Sequence, residues 1–186
     1  MSGTALLVMD FQHNTLARMP EGCLPRAVHA LEAARTAGVR VLHIALGLRP
    51  GHLDVHPRNK TFGALPSHLF TPDDPGAAIH PDAAPADGEI VVHKNRVSAF
   101  SGNNLRQLLA AQDIGRLVLA GISTGGVVLS TALQAVDLDY RVTVLSDACA
   151  DSDPALHDTL LGSVLARRCE VTTVDAWRAT LDGPAV

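Results

Sequence analysis

The sequence predicts a doubly wound α/β protein, in which helices cover both faces of a parallel sheet. Six short apolar segments alternate along the chain with segments of helical periodicity. Alternation of this kind favours parallel strands joined by helical crossovers, and right-handed crossovers place helices on both faces of the sheet. A length of 186 residues suits one domain better than two, so we expect residues 1–186 to form a single domain.

Each predicted strand is a short apolar segment. The first, residues 4–10, is apolar throughout and ends in a carboxylate. A continuous apolar run is typical of a parallel strand that is buried on both faces. The other predicted strands are residues 39–46, 89–93, 116–121, 141–146 and 170–173.

Helices are predicted between these strands at residues 25–37, 102–112, 124–138 and 153–166. In the first of them Val28, Leu31 and Ala34 recur at helical spacing, and Gly38 supplies a stop signal.

Residues 47–88 lack such a pattern. They are rich in Pro, Gly, His and Asp, and only residues 61–70 indicate order. A connection of this length predicts either a functional loop, such as a lid or a dimer arm, or a mobile one.

Composition excludes several classes of function. A formal net charge of −4 lacks the basic field that attracts nucleic acid. The three cysteines form no CxxC pair, which favours neither a disulfide framework nor a zinc site. We find no signal peptide, and the apolar runs are too short to span a membrane. We therefore expect a cytoplasmic protein with neither a nucleic-acid nor a membrane partner.

Two charged residues fall where a ligand is expected. Ligands of an open α/β sheet bind beyond the carboxyl ends of the strands, and Asp10 and Lys94 lie at two of those ends. A carboxylate beside an ammonium can act as an acid or a base, and the cation can stabilise a developing anion. A purely structural ion pair is the alternative.

The segment 121–127 leads from the fourth predicted strand into a helix. Thr124 is a candidate cap for that helix, and the neighbouring glycines let the backbone approach a ligand. Free N–H groups at a helix N-terminus attract anions, as in an oxyanion hole. The segment matches neither a P-loop nor a dinucleotide-binding motif. A tight turn that only closes the helix onto the sheet is the alternative.

Three motifs together resemble the isochorismatase-like, nicotinamidase-related cysteine hydrolases. They are Asp10-Phe11-Gln12, residues 92–100 around Lys94, and Gly121-Ile122-Ser123-Thr124. The resemblance covers nearly the whole chain and is weakest from residue 52 to residue 86. It implies a three-layer, Rossmann-like fold with a six-stranded parallel sheet, a small-molecule substrate, and a homodimer or higher homo-oligomer. We predict no cofactor.

The resemblance also implies a catalytic Asp–Lys–Cys triad, whose thiolate attacks an amide or related carbon. Asp10 and Lys94 match the first two positions. The family pattern Gly-Val-Ala-Thr-Asp-Val-Cys aligns with residues 121–127 without a gap and places its cysteine on Val127. A cis peptide is implied between Ile122 and Ser123, with the amides of Ser123 and Val127 facing the substrate.

Valine cannot act as a nucleophile, so the acyl-enzyme route is closed at this position. In the first hypothesis Asp10 is a general acid that cleaves a vinyl ether, as the resemblance to isochorismatases proper implies, or it activates a water to hydrolyse an amide or a ring C–N bond. In the second, the nucleophile lies elsewhere. In the third, the protein binds a small molecule or a protein and hydrolysis is lost. The relocated nucleophiles considered are Ser123, Thr124, Ser130 and Cys23.

The first hypothesis is the one we adopt, with Lys94 as the electrostatic partner of Asp10. Arg49 is expected to bind a substrate carboxylate, since a guanidinium makes paired hydrogen bonds to that group. The full predicted substrate-binding set is Gln12, Arg49, Phe100, Ile122, Ser123 and Gly126. His52, Asp54 and His56 are ligand types for a metal, but their spacing does not reproduce the nicotinamidase pattern, and no metal is predicted.

Overall fold

A single parallel sheet of six strands organises the computed structural model, which describes residues 3–181. The strand order is β3-β2-β1-β4-β5-β6, and every neighbouring pair is parallel. The predicted doubly wound sheet is therefore confirmed. Its strands are β1 (Gly3–Met9), β2 (Arg40–Leu46), β3 (Ile90–Lys94), β4 (Ile114–Ile122), β5 (Arg141–Ala150) and β6 (Glu170–Thr172).

Helices cover both faces of the sheet and complete three layers. Helices α2 and α6 contribute to one buried apolar cluster, while α3 and α4 contribute to the cluster on the opposite face. The helices are α1 (His13–Leu16), α2 (Cys23–Thr36), α3 (Leu105–Ala111), α4 (Leu129–Asp137), α5 (Pro154–Thr159) and α6 (Val174–Leu181). Wider π-helical turns precede α4 at Thr124–Val128 and follow α5 at Leu160–Val164.

The apolar run of β1 is explained by this layering. Leu7 and Met9 pack into the cluster of α3 and α4, whereas Leu6 and Val8 pack into the cluster of α2 and α6. Alternate side chains of a strand point to opposite faces, so a strand between two helical layers has no polar face.

Strand β5 is longer than predicted. It continues to Ala150, and its pairing with β4 shifts register between Leu119 and Gly121. Asp147 consequently lies within the strand, where its carboxylate accepts hydrogen bonds from Arg26 and from the amide of Val174. Asp151 is the first residue beyond the strand.

The 47–88 segment is folded against the ends of β1 and β2. Its short 3₁₀ turns are Pro50–His52, Pro75–Ala77 and Pro81–Ala83. Phe62 and Phe70 pack with Leu46 and Leu48 in a separate apolar cluster, which gives the segment a small core of its own.

No helix among residues 3–181 is long and apolar enough to cross a membrane.

Candidate active site

The candidate site lies where the strand order reverses. Strand β1 pairs with β2 on one side and with β4 on the other. The helical connections on the two sides of β1 therefore cover opposite faces of the sheet and leave a crevice at its carboxyl ends. Asp10 directly follows β1, and Lys94 is the last residue of β3. Since β2 lies between these strands, the Lys94 side chain reaches across its end to place Nζ 2.9 Å from Asp10 Oδ2.

Asp10 and Lys94 form a buried pair. Their side chains are 10% and 2% exposed, and Lys94 Nζ also donates a hydrogen bond to the carbonyl of Arg96. Asp10 Oδ1 is buried and has no hydrogen-bond partner among the described residues. Burial raises the pKa of the Asp10 carboxyl above its ordinary value of 3.8, and the opposing effect of the Lys94 ammonium is smaller. The carboxyl is thus biased toward holding a proton.

The turn after β4 has the backbone form that the resemblance implied. The Ile122–Ser123 peptide is cis. The carbonyl of Ser123 accepts hydrogen bonds from the amides of Gly126 and Val128, at 3.2 Å and 3.3 Å. Val127 is 2% exposed and belongs to the apolar cluster on the α4 face.

Thr124 does not cap the helix, contrary to the prediction. The N-cap residue is Ser123, and its side chain makes no capping hydrogen bond. The Thr124 hydroxyl is instead fully buried and lies 2.8 Å from Nδ1 of His157 on α5.

A cavity of about 880 Å³ adjoins the ion pair. Lys94 and Arg49 contribute to its wall, together with the segment that runs from Phe70 to Ala78. Asp10, the ion-pair partner of Lys94, does not contribute to the lining. A volume of this size accommodates a small organic molecule.

The predicted substrate-binding residues are only partly brought together. Arg49 is exposed and lines the cavity. Ile122 ends β4, and Ser123 and Gly126 lie in the turn that follows; none of the three lines the cavity.

Two members of that set have other contacts. The Gln12 amide is 1% exposed and is used by the backbone: Nε2 donates to the carbonyls of Leu46 and Ala77, and Oε1 accepts from the Leu46 amide. Phe100 stacks on Tyr140 with ring centroids 6.0 Å apart and does not line the cavity. Gln12 therefore supports the wall of the cavity, whereas Phe100 packs against the apolar cluster that contains Val127.

The three loop residues considered as metal ligands do not converge. The His52 ring contacts the carbonyl of Leu69, and Asp54 accepts a hydrogen bond from the amide of Arg49. Nδ1 of His56 accepts from a backbone amide two residues ahead. Between residues 3 and 181, no three His, Cys, Asp or Glu side chains are arranged to hold a metal ion.

The cysteines are poorly placed for nucleophilic chemistry. Burial raises the pKa of the Cys149 thiol to about 12 and also raises the pKa values of Cys23 and Cys169. A raised thiol pKa lowers the fraction present as the reactive thiolate. Cys23 packs in the cluster of α2 and α6, opposite the face that holds Val127.

Sequence reasoning missed two residues near the turn after β4. Asp151 accepts a hydrogen bond from the amide of Gly125 at 2.7 Å, and His157 contacts Thr124. A carboxylate directly after a strand was the available signal. Because β5 was predicted to end at residue 146, that signal pointed to Asp147 and not to Asp151.

Comparison with known proteins gives a consistent set of relatives. The family model described as the isochorismatase domain matches residues 4–176. N-carbamoylsarcosine amidase from an Arthrobacter species is 30% identical over 164 residues, which cover 87% of this chain and 62% of that protein. The chain thus spans less than two thirds of that relative. Maleamate amidohydrolase from Pseudomonas putida is 29% identical, with 91% of this chain and 82% of that protein covered. A probable inactive nicotinamidase from Arabidopsis thaliana is 27% identical, with 96% of both chains covered.

Solved structures agree with the fold. An isochorismatase family protein from Desulfovibrio vulgaris superposes with a TM-score of 0.87 at 27% identity, over 98% of this chain and 100% of that chain. Another from Burkholderia thailandensis gives a TM-score of 0.86 at 24% identity, over 97% and 96% of the two chains, and shows likeness of fold.

Proposed function

Because this chain belongs to the isochorismatase family, we propose that it is a small-molecule hydrolase in which Asp10 and Lys94 act without a cysteine nucleophile. The amidase and amidohydrolase among its relatives support hydrolysis as the reaction class. The observation that carries the proposal is the Asp10 carboxyl itself. One oxygen is held by Lys94, while the other is buried without a partner among the described residues.

As a general acid, Asp10 would cleave a vinyl ether. Its proton passes to the terminal vinyl carbon, which leaves an oxocarbenium ion, and Lys94 stabilises the carboxylate that forms. Water adds to the cationic carbon and returns a proton to Asp10. The resulting hemiketal separates into a carbonyl compound and an alcohol. The raised pKa of Asp10 supports this route, since the acid must hold its proton beforehand.

As a general base, Asp10 would hydrolyse an amide or a ring C–N bond. The ionised carboxylate takes a proton from water as the water oxygen attacks the carbonyl carbon. Backbone amides of the turn after β4 are the proposed donors to the oxyanion. The C–N bond then breaks, and the proton passes from Asp10 to the leaving nitrogen.

A substrate screen with a matched variant tests the proposal. Wild type, Asp10→Asn and Asp87→Asn are incubated with vinyl ethers, linear amides and cyclic amides, and products are followed by mass spectrometry. Asp87 is an exposed carboxylate far along the 47–88 segment and serves as control. We expect Asp10→Asn to lose about 10²- to 10⁴-fold in turnover, the usual contribution of a positioned acid or base. Turnover that survives Asp10→Asn would show that the mechanism is wrong.

The alternative is a homologue that binds a small molecule but does not hydrolyse it. The buried valine at position 127 favours it, as does the likeness to a relative described as a probable inactive nicotinamidase. Thermal-shift binding of the same compounds by wild type, with no product formed from any of them, would favour this alternative over the hydrolase.

A further inference from the structure

The turn after β4 is held by a buried carboxylate from the end of β5. Asp151 is 7% exposed, and its Oδ2 accepts the Gly125 amide hydrogen at 2.7 Å. The other oxygen, Oδ1, lies 3.4 Å from the Ser152 hydroxyl and 3.4 Å from the Asp153 amide. Local contacts thus orient the carboxylate toward the turn.

Gly125 is closely packed against this carboxylate. A β-carbon added at Gly125 would lie 3.2 Å from Asp151 Oδ2 and 3.4 Å from side-chain carbons of Leu156 and Leu160. The region around α5 therefore contacts the turn through both a hydrogen bond and apolar atoms.

A second bond attaches the adjacent residue of the turn. The hydroxyl of Thr124 lies 2.8 Å from Nδ1 of His157 on α5. A hydroxyl beside an imidazole is also the geometry of a nucleophile and its base. Thr124 is 0% exposed, however, so its hydroxyl does not meet a substrate. The pair is better explained as an attachment of the turn to α5.

We propose that Asp151 is a positioning residue that fixes the turn at residues 123–127, with the Thr124–His157 pair as a second attachment. The effect of this positioning on catalysis rests on the proposed function, in which amides of the same turn bind an oxyanion. Ser123 makes no capping bond through its side chain, so the turn takes its side-chain support from Asp151, just after β5, and from His157 on α5. Misplacing an oxyanion donor lowers the rate of the chemical step more than it weakens substrate binding.

The test compares Asp151→Ala, Asp151→Asn and Asp153→Ala in the full chain. Asparagine keeps an acceptor for the Gly125 amide, while alanine removes it. Asp153 provides a matched control, since its exposed carboxylate caps α5 through the amides of Ala155 and Leu156 and does not touch the turn. Amide hydrogen exchange of residues 123–127 is measured by NMR, and kcat and KM are measured with any substrate found in the screen.

For Asp151→Ala we expect exchange at Gly125 to rise about 10- to 100-fold, as for a lost charge-assisted hydrogen bond. A fall in kcat of about 10- to 100-fold with little change in KM is expected alongside it, as for a misplaced catalytic group. Asp151→Asn should restore most of both, and Asp153→Ala should lower only the Tm.

Unchanged exchange at residues 123–127 in Asp151→Ala would overturn the proposal. So would an equal loss of kcat in Asp153→Ala. If wild type turns over no substrate, the proposed hydrolase function fails, and the exchange measurement alone still decides whether Asp151 fixes the turn.

Discussion

At Asp10 an uncommon backbone conformation coincides with a desolvated carboxyl group. Its φ of 61° lies in the left-handed region, which non-glycine residues seldom adopt. A residue held this way costs about 1–3 kcal/mol and persists only where the surroundings fix it. Here the Asp10 amide donates to the carbonyl of Ile44, which fixes the start of the loop against β2.

The Lys94→Met variant tests how this carboxyl is controlled. The Lys94 ammonium lowers the pKa of Asp10 in opposition to burial, so removing it should raise that pKa further. The titration step of the Asp10 carboxyl then moves to higher pH, whether the carboxyl works as an acid or as a base. Carboxyl ¹³C NMR titration measures this without a substrate. Lys60→Met, which removes an exposed ammonium, should leave the step in place, and a shift of Asp10 to lower pH in Lys94→Met would contradict our account.

Val127→Cys tests the position that the family alignment gives to the thiol. Valine to cysteine changes side-chain volume little, so a stability cost below about 1.5 kcal/mol is expected. If the turn retains a cysteine-hydrolase geometry, the new thiol should be alkylated faster than the three native ones. Val128→Cys is the matched control, because Val128 is fully buried one residue further. Equal alkylation rates in the two variants would count against the alignment.

At the scale of single elements, the strands were predictable where burial on both faces dictated their composition. The apolar runs of β1 and β2 gave their positions to within one residue. The end of β5 was not predictable in the same way, because it depends on a register shift against β4 that local sequence does not encode. Helix α6 was missed for another reason: its buried residues are only Val174 and Trp177, with Leu181 partly buried against the same cluster.

The close packing of β4 against β1 gives a prediction at this scale. A β-carbon at Gly121 would lie 2.9 Å from Met9 Cβ and 3.1 Å from its carbonyl oxygen. Gly121→Ala should therefore destabilise the fold by about 1–3 kcal/mol, as overpacking of a core does, in urea unfolding. In Gly162→Ala the added carbon meets no atom of residues 3–181 within 4 Å. That variant should be neutral or slightly more stable, and equal losses in both would contradict the packing argument.

At the scale of the whole molecule, three parts of the chain meet at one carboxylate. Arg35 from α2 donates two hydrogen bonds to Glu89, and His43 from β2 lies 2.8 Å from the same group. These contacts lower the pKa of Glu89 from 4.5 to about 2, with Arg35 contributing most. His43 is 1% exposed, and burial lowers its pKa below the ordinary 6.5.

The sign of the pH dependence follows from these shifts. A lowered Glu89 pKa adds stability that is complete above pH 4.5 and is lost as the pH falls toward about 2. Glu89→Gln should cost roughly 2–3 kcal/mol at neutral pH and flatten the stability curve between these limits. Urea unfolding across that range measures it, with the exposed Glu21→Gln as control. An undiminished slope in Glu89→Gln would assign the acid sensitivity to other groups.

The candidate site was predictable in its charged pair and less so in its surroundings. Asp10 follows β1 and Lys94 ends β3, and the apolar runs of these strands mark both positions in the sequence. The cavity wall comes from the 47–88 segment, whose packing joins residues far apart in the chain, and sequence pattern gave no means to place it. A homodimer or higher oligomer stays a prediction from the family resemblance.

The three hydrogen bonds of the Gln12 amide have a kinetic consequence. They tie the tip of β1 to Leu46 and Ala77, two residues of the cavity wall. Because these hydrogen bonds already order the cavity wall in the free protein, no ordering step is expected after the ligand binds. Association should then be a single bimolecular phase, whose observed rate rises linearly with ligand concentration and does not level off at a loop-closing limit.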